Sequence, residues 1–257
     1  MVKYDFNDKS VMITGGGGDL GSAVAGSFYA DGASIILIDI SMEAMEAAAD
    51  QYGFSPERSL LLKVDVTDEE QFKAAVDAAV DKFGKIDVFF NNAGKQGKFA
   101  PVEEISVDDF RSCLELNVVG VLIGLKCVLP VMYRQGYGSV INTASQAGVR
   151  VMAGGASYSV SKAATMKLSA AAAIEAGPKG VRVNTLCPGM LRSRMMENAI
   201  NHKWGGDENA MIRNSGIPLG RLGELDEIAA SVKFLASDDA GYVSGLDFII
   251  NGASTAR

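Results

Sequence analysis

Ser10-Val-Met-Ile-Thr-Gly-Gly-Gly-Gly-Asp-Leu-Gly21 runs from a short, largely apolar stretch of strand character through four consecutive glycines into an Ala-rich helical stretch. Gly16, Gly18 and Gly21 satisfy GxGxxG, and the strand–loop–helix setting gives that pattern its meaning. Glycines let the backbone approach a pyrophosphate closely. The free amides and partial positive charge of the helix N-terminus then attract it. Gly15, Gly18, Asp19 and Leu20 are therefore candidates for contact with a dinucleotide.

Outward from this loop, β-branched runs alternate with longer Ala-rich stretches, the pattern of repeated strand–helix–strand units around a parallel sheet. Strands are expected at 10–14, 34–39, 59–64, 86–90, 138–143, 181–186 and 246–250. Helices are expected at about 20–31, 41–51, 68–83, 107–135, 156–176 and 225–236. This predicts the α/β class: a doubly wound Rossmann fold whose seven-stranded parallel sheet carries helices on both faces. The 257 residues suit one such domain over 1–257. The stretch from about 189 to 218 has little strand character and reads either as a substrate lid or as a surface helix pair packed on the body.

Hydrophobic residues at 48% and charged ones at 21% exclude disorder, and the sequence shows no apolar run of the roughly 18 to 20 residues that a membrane span needs. The net charge of −7, from 24 basic and 31 acidic residues with no Lys/Arg block, argues against nucleic acid as a partner. Cys113, Cys127 and Cys187 are odd in number and lack CxxC spacing, so neither a disulfide framework nor a metal site is expected. Reduced cysteines, and an N-terminus that enters the first strand within about ten residues, lead to the expectation of a cytoplasmic protein with a small-molecule partner.

Asp39 ends the second expected strand, eighteen residues beyond Gly21, where a carboxylate can accept hydrogen bonds from the adenosine ribose hydroxyls. Its charge would repel a 2′-phosphate, and the neighbouring Ile40 and Ser41 are not basic, so NAD is expected as cofactor rather than NADP. The alternative makes Asp39 an N-cap. Asp65 and Val66 follow the third strand, suited to the adenine edge. Asn91-Asn-Ala-Gly94 follows the fourth, small enough to pass close to a cofactor or to serve as an ordinary turn.

Tyr158-Ser-Val-Ser-Lys162, with Ser145 thirteen positions upstream, carries the candidate chemistry. On a helix over 156–176, Tyr158 and Lys162 stand at i and i+4 on one face. Holding a phenol ionised near pH 7 takes about three units, roughly 4 kcal/mol. A neighbouring ammonium would supply part of it by lowering the phenol pKa. The bland alternative is a half-buried ring beside a solvated amine.

Together with Asn117, Asn184 and Pro188-Gly189, in order and spacing, these residues resemble the short-chain dehydrogenase/reductase family over essentially the whole chain. The resemblance implies that Tyr158 is the general acid or base and that Ser145 hydrogen-bonds the substrate oxygen. Lys162 would bind the nicotinamide ribose and lower the Tyr158 pKa, and Asn117 would support a water-linked proton relay. It also implies cofactor contacts at Asn92, Ala93, Gly94, Pro188, Gly189, Leu191 and Ser193, and a homotetramer. The small, apolar faces of the 156–176 helix independently call for cover by a second copy.

Three positions depart from the family pattern. Asp19 stands where TGxxxGxG has its middle glycine, Ser193 where PGxxxT has threonine, and Ala253 replaces a common glycine. A carboxylate beside a pyrophosphate is electrostatically awkward, although aspartate tolerates positive φ and caps helices. Asp19→Gly is expected to leave NAD affinity unchanged or tighter.

Substrate contacts are expected from Ser145, Gln146, Lys95, Gln96, Val151, Met152, Met190 and Met195, a lining of flexible apolar groups with a few polar ones. It suits a secondary alcohol or its ketone: a polyol, a cyclic alcohol or a hydroxysteroid. Two other readings stay open. A 3-oxoacyl carrier-protein reductase would need a basic patch and usually NADPH, which Asp39 and the acidic balance oppose. A non-catalytic dinucleotide-binding regulator would have no need of Asn117, Ser145, Tyr158 and Lys162 together.

Overall fold

The computed structural model describes residues 4–256, apart from the side chains at positions 195, 198, 199 and 203. Strands β1 (Ser10–Thr14), β2 (Ser34–Asp39), β3 (Ser59–Lys63), β4 (Val88–Asn91), β5 (Gly138–Thr143), β6 (Val181–Pro188) and β7 (Asp247–Ile250) form one sheet in the order β3-β2-β1-β4-β5-β6-β7. Every pairing is parallel. The strand order reverses between β1 and β4, so a crevice opens there beyond the strands' C-terminal ends, where open α/β sheets bind ligands.

Alternation along the strands feeds two cores, because successive side chains point to opposite faces. Met12, Ile36, Ile38, Phe89, Val140 and Val183 pack against helices α3 (Glu69–Phe83), α5 (Gly120–Gln135) and α6 (Ala156–Ala176). Val11, Ile13, Ile35, Leu37, Phe90 and Ile141 pack against α1 (Asp19–Ala30), α2 (Met42–Tyr52) and α9 (Leu225–Ala236). With both faces covered, β1 is buried at all five positions, as parallel strands are.

Several elements differ from the sequence expectations. Strand β3 stops at Lys63, one residue early, while β6 runs on to Pro188 by pairing with Ile250 of β7. Strand β4 starts two residues later than expected, at Val88. The single helix expected over 107–135 is α4 (Val107–Leu114), a π-helical turn over Glu115–Val119, and α5. This stretch is long and apolar enough to cross a membrane by length and composition, contrary to the reading of the sequence. Half of its most apolar window is buried inside the fold, and α5 packs against α3, α6 and the sheet as a core helix.

The 189–218 stretch contains α7 (Arg194–Trp204) and α8 (Glu208–Ser215). Ile200, Met211, Ile212, Ile217 and Leu222 give the pair a small core of its own, joined by Met190, Met196 and Trp204. A short parallel bridge between Leu191 and Gly223 anchors its entry.

Candidate active site

The glycine loop is shaped by contacts that exclude side chains. Gly15 has φ +66°, and a Cβ there would lie 3.1 Å from Ala93 Cα and from Asn92 Nδ2. The Thr14 hydroxyl accepts the N–H groups of Asn92 (2.8 Å) and Ala93 (3.0 Å), which stitches the end of β1 to the Asn91–Gly94 loop. Asn92 Nδ2 donates to Thr14 O (3.2 Å), and Thr143 Oγ1 donates to Asn92 Oδ1 (3.2 Å). That loop is therefore a fixed wall, held from both neighbouring strands.

Asp39 is oriented by two main-chain donors, Gly17 N–H to Oδ2 and Ser41 N–H to Oδ1, each at 3.0 Å. The N-cap alternative fails for it, because Ser41 caps α2 through an Oγ that accepts Ala44 N–H at 3.2 Å. A cleft of about 380 Å³ is lined by Gly15, Gly18, Asp19, Leu20, Asp39, Asn92, Ala93, Gly94, Pro188, Gly189, Leu191 and Ser193, together with Gln96, Ser145, Tyr158 and Lys162. Three expected cofactor contacts do not line it. Ile40 is 65% exposed, Val66 is buried beneath Gly120, and Asp65 Oδ1 closes a turn by accepting from Thr67 N and Oγ1. Ser193 lines the cleft while its Oγ caps α7, accepting Met196 N–H at 3.3 Å.

Tyr158 and Lys162 lie on consecutive turns of α6, with Lys162 Nζ 5.7 Å from the ring centroid. Lys162 is 3% exposed, and its Nζ donates to Thr143 O at 2.7 Å. Burial pulls its pKa down to about 8. Burial also pushes the Tyr158 phenol above its ordinary value, and a hydrogen bond with Ser145 offsets only part of the rise. The expected lowering of the phenol by Lys162 is thus not met in the protein alone. Desolvation outweighs an ammonium that is engaged with a carbonyl and itself inclined to lose its proton.

Asn117 sits in the π-turn, fully buried and outside the cleft wall. Its Oδ1 accepts Lys95 N–H (2.9 Å), and its Nδ2 donates to Lys95 O (2.8 Å) and Ser161 Oγ (2.9 Å). It pins the loop after Gly94 to α6, and its own carbonyl accepts Thr165 Oγ1 at 2.9 Å. Lys95 lines the cleft, but its amine is turned to Ser112 Oγ.

Beyond Ser145, whose Oγ accepts Ala147 N–H at 3.1 Å, a second cavity of about 840 Å³ opens between the body and the α7–α8 pair. The expected residues Gln96, Gln146, Val151, Met152 and Met190 line it, with Phe99, Met196, Ile200 and Trp204. Gln96 borders both cavities. Gln146 Oε1 is buried there without a hydrogen-bond partner among the described residues. The side chain of Met195, another expected contact, lies outside the described residues. Sequence reading missed Arg150, Met211, Ser254 and Thr255, all of which line this cavity. Arg150 Nη1 donates to Ser254 O at 3.0 Å, and the only hint of that turn in the sequence was the departure at Ala253, whose φ is +67°.

A further cavity, of about 470 Å³, includes Lys9, Asp87 and Arg182 in its lining. Asp87 pairs with Lys9 and Lys85, each at 3.4 Å, while Arg182 donates to the carbonyls of Leu235 and Ser237. Those charges hold the fold together. Among the described residues, no group of three or more His, Cys, Asp or Glu is placed to hold a metal ion.

Comparison with known proteins follows the same geometry. The family model described as Enoyl-(Acyl carrier protein) reductase matches residues 18–255. Levodione reductase of Leifsonia aquatica is 39% identical over 259 residues, spanning 98% of this chain and 96% of the relative. The chain belongs to the short-chain dehydrogenase/reductase family. It is an oxidoreductase that interconverts secondary alcohols and ketones with a nicotinamide dinucleotide. A crystal structure of levodione reductase matches with a TM-score of 0.92, covering 98% of this chain and 99% of that one. An NAD⁺-bound xylitol dehydrogenase structure, 36% identical, matches with a TM-score of 0.89 over 97% of this chain and 100% of that one. Cyclohexanol dehydrogenase of Acinetobacter sp. (strain SE19) is 32% identical over 257 residues, spanning all of this chain and 99% of the relative.

Proposed function

We propose that this family member is an NAD(H)-dependent dehydrogenase/reductase of a cyclic secondary alcohol and its ketone, with Tyr158 as general acid/base. One observation carries the reading: Ser145 and Tyr158 line the dinucleotide cleft, and that cleft shares Gln96 with an 840 Å³ cavity of mainly apolar lining, which also holds Gln146, the neighbour of Ser145. Gly15, Gly18 and Gly189 line the cleft without side chains, which leaves room for a close-lying dinucleotide. Asp39, held by the loop amide of Gly17, suits ribose hydroxyls and disfavours a 2′-phosphate, which supports NAD over NADP.

The nicotinamide ring, when bound, supplies the hydride acceptor or donor. In oxidation, Tyr158 Oη takes the alcohol proton while Ser145 Oγ hydrogen-bonds the same oxygen, and in reduction Tyr158 returns it. Burial raises the phenol pKa in the free protein, so positive charge nearby, from Lys162 and from an oxidised nicotinamide when bound, would favour its ionisation. Asn117 keeps the loop after Gly94 in place and supports the proton path.

Apolar groups dominate the substrate cavity, and the unpartnered Gln146 Oε1 marks one point for a second polar group on the substrate. The names of the relatives, levodione reductase and cyclohexanol dehydrogenase, point the same way. The α7–α8 pair acts as the substrate lid of a single domain. Leu122, Val160 and Ile174, exposed on α5 and α6, are covered by a second copy in a cytoplasmic homotetramer. A carrier-protein substrate would need a basic mouth, and the one Arg or Lys lining this cavity among the described residues, Arg150, is bonded to Ser254 O.

The test is a panel of cyclic alcohols, polyols and hydroxysteroids scanned for reduced-cofactor formation with NAD⁺ and with NADP⁺ at alkaline pH. Turnover of cyclic alcohols with NAD⁺ preferred at least about tenfold is expected, an order of magnitude set by one unfavourable charge contact. A preference for NADP⁺ would sink the cofactor assignment.

A further inference from the structure

Asp19 opens α1 on the loop shaped for a pyrophosphate, and the structure shows where its charge goes. One carboxylate oxygen accepts the main-chain N–H of Arg194 at 2.7 Å, and the other accepts Nε–H of the same residue. This is the only ion pair that Asp19 makes among the described residues. Its side chain is 21% exposed, that of Arg194 74%. Arg194 is the first residue of α7, so the contact joins the cofactor loop to the first turn of the α7–α8 pair across 175 positions of sequence. Asp19 and Ser193 both line the cleft.

We infer that Arg194 is the counter-ion that makes Asp19 compatible with a bound dinucleotide, so that the pair, rather than either residue alone, sets cofactor affinity. The inference rests on the nicotinamide-dinucleotide reading of the cleft. A bare carboxylate in a partly desolvated cleft repels a pyrophosphate. Arg194 meets that carboxylate with two donors, one of them charged, which neutralises it and fixes its direction toward α7. Arg194 is therefore a positioning residue, acting on the cofactor through Asp19.

Charge compensation makes only one of the two single substitutions weaken binding. Arg194→Ala keeps the main-chain N–H but removes the charged donor, so the negative charge of Asp19 is left uncompensated and the Kd for NADH rises about tenfold. Asp19→Gly leaves the guanidinium and the α7 N-terminus facing the cleft without their anion. The Kd then holds or falls, with a steeper dependence on salt. Removing both restores affinity to within about threefold of wild type, because the repulsion and its remedy leave together. Arg194→Lys keeps the charge and most of the affinity. A purely mechanical latch predicts instead that both single substitutions weaken binding and that the double is no better than either.

The experiment is equilibrium titration of the full chain with NADH, followed by fluorescence, for wild type, Asp19→Gly, Arg194→Ala, the double variant and Arg194→Lys, at low and high salt. Thermal melting of each protein without cofactor checks folding, and Arg194→Lys keeps the test decisive if Arg194→Ala melts early. Weaker binding by Arg194→Ala, unchanged or tighter binding by Asp19→Gly, and recovery in the double are the expected result. Weaker binding by both single variants, or a double no tighter than Arg194→Ala, overturns the role of the pair alone. Wild-type protein that binds neither NADH nor NADPH overturns the reading of the cleft, and the pair with it.

Discussion

Lys162 is the residue at which function and stability pull apart. In the folded chain it gives up its proton near pH 8, against an ordinary value of 10.5, because burial disfavours the charge. Between those values the unfolded chain binds the extra proton, so folded stability rises with pH across the window. Below it, burying the ammonium costs on the order of 3 kcal/mol. Lys162→Met is expected to be more stable than wild type at pH 7, with the gap closing toward pH 10.5, in urea titrations of the cofactor-free protein. A gap that does not change with pH contradicts this assignment. Ala253 carries a different strain, an L side chain at φ +67°. Ala253→Gly should stabilise the chain by about 1 kcal/mol in the same titration, and no gain would mean that the turn is relaxed by its neighbours.

At the scale of elements, the π-turn over Glu115–Val119 matters most. The sequence reads as one continuous helix there, because apolar periodicity over 107–135 barely registers a single widened turn. Asn117 was legible as a site residue only through the family resemblance, and its work as a clamp on Lys95 became visible only with the fold. Asn117→Ala would remove the Asn117 side-chain partners of the part-buried main-chain amide and carbonyl of Lys95, and the bond to Ser161 Oγ. A stability loss of about 2–3 kcal/mol is expected, together with lower kcat, and unchanged stability would contradict the clamp. Strand positions read well because β-branched runs bounded by turns are local signals. The end of β6 did not, since its last pairing depends on β7, sixty-two residues further on. The helical character of 189–218 was one of two readings, and only a fold could show that the pair both carries its own core and walls a cavity.

Over the whole molecule, the parallel sheet delivers two separate sets of residues to its C-terminal edge. The glycine loop, Asp39 and the Asn91–Gly94 loop come from the β1, β2 and β4 ends; Ser145 and the β6 extension come from the β5 and β6 ends. The first set was legible from motif spacing, whereas the far side of the 840 Å³ cavity, with Arg150, Met211, Ser254 and Thr255, depends on long-range packing that no local pattern encodes. Tyr158 stands where the two meet, and the account depends on it acting there as the proton donor and acceptor. The direct measurement is NADH formation from a cyclic alcohol and NAD⁺ by wild type and Tyr158→Phe, with NADH affinity titrated alongside. The variant is predicted to bind NADH within about threefold of wild type, since the ring and Lys162 remain, while turnover falls by about 10² to 10⁴. Turnover by Tyr158→Phe at the wild-type rate would contradict the account.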